Sequence, residues 1–220
     1  MRKTSRLMTT AAAAAVAILA LANPAQAATV QASWNMNTLT SNRMVDSTGN
    51  PYNHGTATDV KLVSGAYYSF NGTSSIVQVA HQDNLNPGAA NITVEARVNV
   101  RSLPSGTYDI IRKGTSGTGG GYYKIEIKET STGMNAACIF KDQAGNVGRA
   151  IYPIKIASWV TITCKKTASS VTLLLNGAVV RTTTIQVGTI SNTAGVFIGG
   201  KGDGSDVFDG LMDHARIITG

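Results

Sequence analysis

Apolar and polar residues alternate along most of this chain, and the repeat is two. Across 91–100, Ile92, Val94, Ala96, Val98 and Val100 are apolar while Thr93, Glu95, Arg97 and Asn99 are polar. That is the pattern of a strand buried on one face. Val160, Ile162 and Cys164 repeat it, and Val171, Leu173 and Leu175 repeat it again after a polar break at 165–170. Asn176-Gly177 then separates two apolar runs. It is a strong hairpin signal there, because a type I′ turn needs positive φ at both central residues. A three-strand antiparallel meander over 159–181 is expected, with the other strands arranged around it.

Those other strands are expected over 30–36, with Trp34 as a core anchor, and over 66–70, 75–79, 108–114, 122–128, 135–142, 146–152, 195–200 and 206–219. Asn71-Gly72 is expected to form a second hairpin. Asp46-Ser47-Thr48-Gly49-Asn50-Pro51 is a dense turn cluster inside a stretch with little periodicity. No stretch holds a 3.6-residue period long enough for a helix, and turn signals recur every ~8–12 residues. The expected fold class is therefore all-β: a single-domain antiparallel β-sandwich.

The first residues change the picture of where this domain works. Arg2, Lys3 and Arg6 precede an Ala-rich apolar run, and Ala25-Gln26-Ala27 reads as a cleavage signal, so 1–27 is expected to be a signal peptide and 28–220 the domain. The apolar run is interrupted by Thr9-Thr10 and is short for a membrane span of ~20 residues. A secreted, extracellular protein is expected. Its net charge of +7 falls by three when the leader's Arg2, Lys3 and Arg6 are removed, and the remaining basic residues are scattered. A nucleic-acid face needs a clustered stripe, so no nucleic-acid partner is expected. Cys138 and Cys164 are the only two cysteines. In an oxidising compartment they are expected to pair, stabilising the fold by ~3–4 kcal/mol in the chain-entropy account; two buried free thiols are the alternative.

The order of signals resembles the laminin-G-like family of the concanavalin A-like lectin/glucanase jelly rolls. The resemblance is carried by Tyr68-Ser69-Phe70-Asn71-Gly72 followed by Ile76-Val77-Gln78-Val79, by Asn91-Ile92-Thr93-Val94-Glu95-Ala96-Arg97-Val98, and by Ile110-Ile111-Arg112-Lys113-Gly114. It continues through Trp159-Val160, Leu174-Leu175-Asn176-Gly177, Phe197-Ile198-Gly199-Gly200, and Phe208-Asp209-Gly210-Leu211-Met212-Asp213-His214-Ala215-Arg216-Ile217. Arg97 stands where the family usually has Trp. The resemblance implies a jelly roll, and that fold hosts lectins, glycosidases, lyases and adhesive modules alike. It also implies a structural calcium ion held by Asp46 and Asp213, with Asn50 contributing oxygen. The competing reading is an Asx-turn at Asp46 and a backbone hydrogen bond at Asp213. Asp203-Gly204-Ser205-Asp206 is a second acidic loop with turn chemistry.

For catalysis, a glycosidase needs two carboxylates aimed at one bond, ~5–5.5 Å apart for retention. Glu126 and Glu129 are three apart, which puts them on opposite faces of a strand, and Glu95 stands alone among polar neighbours. A lyase base could be drawn from Tyr122, Tyr123, Lys124, His54, His81 or His214, but no spacing demands it. The glycine-rich loop 116–121 precedes a strand, so it lacks the helix of a phosphate-binding loop. The preferred expectation is a non-catalytic module that binds a polysaccharide or other glycan on one sheet face, through Lys113, Tyr122, Lys124, Asp142 and Arg149. A lyase or glycosidase of the same fold is an alternative. A domain that binds a cell-envelope protein is another.

Overall fold

The computed structural model describes residues 27–103 and 106–220. The signal-peptide expectation therefore falls almost wholly outside the described residues. In chain order the strands are β1 (Thr29–Trp34), β2 (Arg43–Met44), β3 (Gly55–Thr58), β4 (Lys61–Val63), β5 (Tyr67–Asn71), β6 (Ile76–Val79), β7 (Ile92–Val100) and β8 (Thr107–Lys113). They continue as β9 (Tyr122–Thr130), β10 (Gly133–Lys141), β11 (Val147–Ile154), β12 (Trp159–Lys166), β13 (Ser170–Leu175), β14 (Ala178–Thr184), β15 (Val196–Ile198) and β16 (Asp209–Thr219). Two short 3-10 turns, Pro51–Asn53 and Asp83–Leu85, are the helical pieces among the described residues, none long and apolar enough to cross a membrane.

The strands form two antiparallel sheets. One runs β14-β13-β12-β7-β16-β5-β4, and the other runs β11-β10-β9-β8-β15-β6-β3-β2. The long β16 closes the first sheet by sharing one edge between two partners: 209–212 pair with β5 and 215–219 with β1. The expected meander is β12-β13-β14, and its turn has Asn176 at φ 49° and Gly177 at φ 82°. Asn71-Gly72 is not a hairpin. β5 belongs to the first sheet and β6 to the second, so this turn carries the chain across the sandwich. The Asn71 side-chain oxygen accepts from the N–H groups of Thr73, Ser74 and Ser75, and so turns the chain without strand pairing. The short strands β2, β3 and β4 lie in stretches too brief and polar to show a period.

The core lies between the sheets and follows from alternation. Val94, Ala96 and Val98 of β7 and Ile162 and Cys164 of β12 face Tyr123, Ile125 and Ile127 of β9 and Cys138 and Phe140 of β10, all fully or nearly fully buried. Trp34 is fully buried, and its indole N–H donates to Asn53 O at 2.8 Å, which ties the first 3-10 turn to β1. Truncating such a residue costs ~3–5 kcal/mol. Cys138 and Cys164 are bonded to each other, so a disulfide joins the two sheets through the core.

Candidate functional site

The two outer faces of the sandwich differ in what they leave free. On the β12-β7-β16 face, polar groups consume one another. Glu95 accepts from Thr163 Oγ1 at 2.9 Å and lies 3.2 Å from the Arg216 guanidinium. Its hydrogen bond to His214 is the main reason its carboxyl lies below the ordinary value; burial opposes that, and Thr163 and Arg216 add to it. Arg97 pairs with Asp213 at 3.3 Å and lays its guanidinium 4.8 Å over the Trp159 ring. One face of the Trp159 ring is thereby covered.

The other outer face is shaped differently. One row of side chains crosses all eight strands in register: Arg43, Thr56, Gln78, Phe197, Arg112, Lys124, Ile139 and Arg149. At a strand spacing of ~4.8 Å the row is ~34 Å long. Its ends, Arg43, Thr56, Gln78 and Arg149, are exposed. Its middle is sunk: Arg112 is 3% exposed and Ile139 6%, although no further layer covers the sheet. The face is concave.

A cleft of about 320 Å³ opens on that middle, lined by Arg112, Thr115, Ser116, Tyr122, Lys124, Lys201 and Asp203. An adjoining hollow of about 230 Å³ adds Phe197, Ala194 and Gly202. Tyr122 packs with Ala137 and Ile139 on the floor. One wall is the glycine-rich loop. Lys141 Nζ donates to Ser116 O at 3.0 Å, and Ser191 N donates to Gly120 O at 2.9 Å. Gly120 and Gly121 have φ of +84° and +85°, and a Cβ there would lie 1.8 Å from Ser191 O and 2.2 Å from Lys141 O. Only glycine fits this close approach. The other wall is the acidic loop, where Asp203 Oδ1 accepts from Ser205 Oγ at 2.7 Å and Ser205 N at 3.0 Å. Those two bonds hold the Asp203 carboxyl below its ordinary value.

The cations of the floor are fixed from beneath. Arg112 donates through Nη1 to Asp109 and through Nε to Gly114 O at 2.9 Å, which leaves Nη2 with no protein partner among the described residues. Lys124 contacts Asp109 at 3.2 Å and also Glu126; Lys201 pairs with Asp206 at 2.5 Å. Burial pushes the Asp109 carboxyl up, against the pull of Lys124 and Arg112. Asp109 and Glu126 are cross-strand neighbours gripping one ammonium. Neither lines the cleft, and Asp109 has no exposed surface.

Of the residues expected from sequence, Tyr122, Lys124 and Arg149 share this face. Lys113 does not. It is fully buried on the core side, contacting His81 Nδ1 at 3.1 Å and the carbonyls of Asn192 and Ala194, and burial brings its ammonium down to about 8. The reason is a bulge in β8 between Asp109 and Ile111. It buries both Ile110 and Ile111, which reverses the alternation beyond it. Asp109 and Arg112 therefore share the outer face, and Lys113 turns inward. Asp142 is also buried, as the anchor of the β10–β11 turn: it accepts from Asn146 N, Asn146 Nδ2 and Gly188 N at 2.8–2.9 Å. Burial raises its carboxyl, but these bonds outweigh it and hold the group below the ordinary value.

Asp46, Asn50 and Asp213, expected around calcium, are engaged separately. Asp46 Oδ1 accepts from Ser33 N and Thr48 N at 2.9 and 3.1 Å, and Oδ2 accepts from Thr48 Oγ1 at 2.6 Å. Asn50 caps the first 3-10 turn through Tyr52 N. Asp213 sits at a bulge in β16 beside Arg97 and His214. Calcium takes six to eight oxygens. These carboxylates already serve other donors, and among the described residues no three His, Cys, Asp or Glu side chains group in a way that could hold a metal.

Two antiparallel sheets with a walled polar cleft on the concave one define a jelly-roll domain of the lectin type. The chain belongs to the concanavalin A-like lectin/glucanases superfamily: the Laminin_G_3 family model matches residues 70–220. No curated protein matches the sequence. Among solved structures, it is similar to domain 4 of AbnA, a GH43 extracellular arabinanase from Geobacillus stearothermophilus, in complex with arabinotriose. The TM-score is 0.65 at 18% identity, over 89% of this chain and 94% of that one. It is also similar to the binding domain of Paraclostridial Mosquitocidal Protein 1, with TM-score 0.65 at 19% identity over 86% of this chain and 48% of that one. The botulinum neurotoxin serotype D ligand binding domain, in complex with N-acetylneuraminic acid, gives TM-score 0.61 at 14% identity over 86% and 47%. The chain spans about half the length of the toxin binding domains it matches. At these identities the likeness is one of fold.

Proposed function

We propose that this chain is a secreted, non-catalytic glycan-binding module that takes a stretch of polysaccharide across the concave sheet. The observation that carries the reading is the cleft itself: it is lined by Arg112, whose Nη2 has no protein partner among the described residues, together with Phe197 and Tyr122. Sugars present apolar ring faces and hydroxyls that both donate and accept, and such a floor meets both needs. The row from Arg43 to Arg149 is long enough for a run of linked rings. The structural neighbours named for arabinotriose and N-acetylneuraminic acid support a sugar ligand. The leader pattern supports secretion.

Aromatic residues are only 6% of the chain, so binding is expected in the millimolar-to-micromolar range, about −4 to −8 kcal/mol. Calorimetry against plant and cell-wall polysaccharides should show heat that Phe197→Ala or Arg149→Ala reduces. Affinity should rise with oligosaccharide length, and no new reducing ends or unsaturated products should appear. Turnover at enzyme-like rates, or silence across all glycans, would overturn the reading.

A further inference from the structure

The charges around the cleft cancel. Arg112, Lys124, Lys201 and the wall residue Lys141 bring four cations, and Asp109, Glu126, Asp206 and Asp203 bring four carboxylates. Arg112, Lys124 and Lys201 each have an acid in contact, Lys141 donates to the Ser116 carbonyl, and Asp203 stands on the open wall. Among the described residues, an anionic ligand would find Lys141 as the one cation at the cleft wall without an acid in contact, and would meet Asp203 opposite it. Arg149 and Arg43 lie three and four strands from Arg112, ~14 and ~19 Å away, beyond the screening length of ~8 Å at physiological salt, so they act on the ends of a long ligand and not on the sugar in the cleft.

What the cleft does offer is one fixed donor and one fixed acceptor. Arg112 Nη2 is held in place because Nε and Nη1 are already bonded. Asp203 Oδ2 has no protein partner among the described residues, while Oδ1 is fixed by Ser205. Both residues line both hollows. A hydroxyl group can accept from the guanidinium and donate to the carboxylate, which neither a carboxylate nor a sulfate ester can do. Resting on the glycan-binding reading above, we infer that the cleft selects uncharged sugars and that Arg112 and Asp203 are its specificity-determining pair, reading hydroxyls from the floor and from the wall.

The test uses the mature chain with polymers of one backbone in charged and uncharged form: fully methyl-esterified against de-esterified polygalacturonate, and hydroxyethyl against carboxymethyl cellulose, beside neutral arabinan, galactan and xylan. Titrations at low salt and at roughly 0.5 M salt, where the screening length falls below about 5 Å, separate charge from hydrogen bonding. The expected result is binding to a neutral polymer that changes less than about twofold with salt. In each charged/uncharged pair, the charged form should bind no better than its partner. Asp203→Ala, at an exposed position, should keep the fold and weaken binding about tenfold, the scale of one charge-assisted hydrogen bond. Arg112→Lys keeps the charge and removes Nη2, and should weaken it comparably.

Preference for the acidic polymers, with affinity collapsing in high salt, would overturn the inference and leave the glycan-binding reading standing. Unchanged binding in Asp203→Ala would remove that residue from the pair. No binding to any polymer would overturn both.

Discussion

Cys138 of β10 and Cys164 of β12 are bonded across the sandwich, their Cα atoms 5.3 Å apart and both side chains fully buried. The bond closes a loop that contains all of β11, so it restrains the unfolded chain between the two sheets. Replacing both cysteines by alanine is expected to cost ~3–4 kcal/mol. Urea unfolding should show a lower midpoint and a steeper slope, because the unlinked chain exposes more surface when it unfolds. An unchanged midpoint would mean that core packing alone holds the sheets together.

Lys113 makes stability depend on pH in an unusual direction. Burial lowers its folded pKa to about 8 from the ordinary 10.5. Below the folded value both states carry the proton, and the folded state bears the full penalty of the buried charge. Between about 8 and 10.5 the unfolded state binds more protons, so stability rises with pH there. The gain from this group is at most ~3 kcal/mol. Other groups titrate as well, so the difference between the native chain and Lys113→Met is the quantity to measure. That difference should be pH-independent below about 7 and change across the 8–10.5 window.

Asp46 anchors its loop through three hydrogen bonds and is almost fully buried. Asp46→Ala should lower stability by ~2–3 kcal/mol, because Ser33 N and Thr48 N lose their acceptor. The loss should be the same with calcium or a chelator present. A melting temperature that rises with calcium in the native chain and not in Asp46→Ala would assign a calcium ion to Asp46.

Gly120 sits where the wall loop meets the 191–192 segment. A Cβ there would overlap Ser191 O, and the φ of +84° disfavours any side chain. Gly120→Ala should therefore move the loop, cost ~1–3 kcal/mol, and weaken glycan binding more than a change on the far face of the sandwich, such as Lys61→Ala, would. Calorimetry of the two variants side by side checks it.

Much of the fold is legible in the sequence because local rules decide it. Alternation in 91–100 and 159–175 fixed which residues of β7, β12 and β13 face the core, and Asn176-Gly177 supplied the two positive φ angles its turn needed. Two cysteines on two expected strands, in a chain read as secreted, pointed to a disulfide, and both lie in the core between the sheets. Tyr122, Lys124 and Arg149 reached the concave face for the same reason, since each lies on a strand without a bulge between it and its neighbours. Tertiary structure decided the rest. One extra residue in β8 reversed the alternation, burying Lys113 and putting Asp109 beside Arg112; a bulge depends on strand pairing and leaves no local mark. Asn71-Gly72 has hairpin chemistry, yet its flanking strands found partners in different sheets. Phe197 on β15, and Lys201 and Asp203 on the loop that follows it, came to the cleft from some ninety positions beyond Arg112, because β15 pairs with β8. Sequence periodicity reports which way a side chain points from its own strand. It does not report which distant strand lies alongside, and a binding site is made of such neighbours.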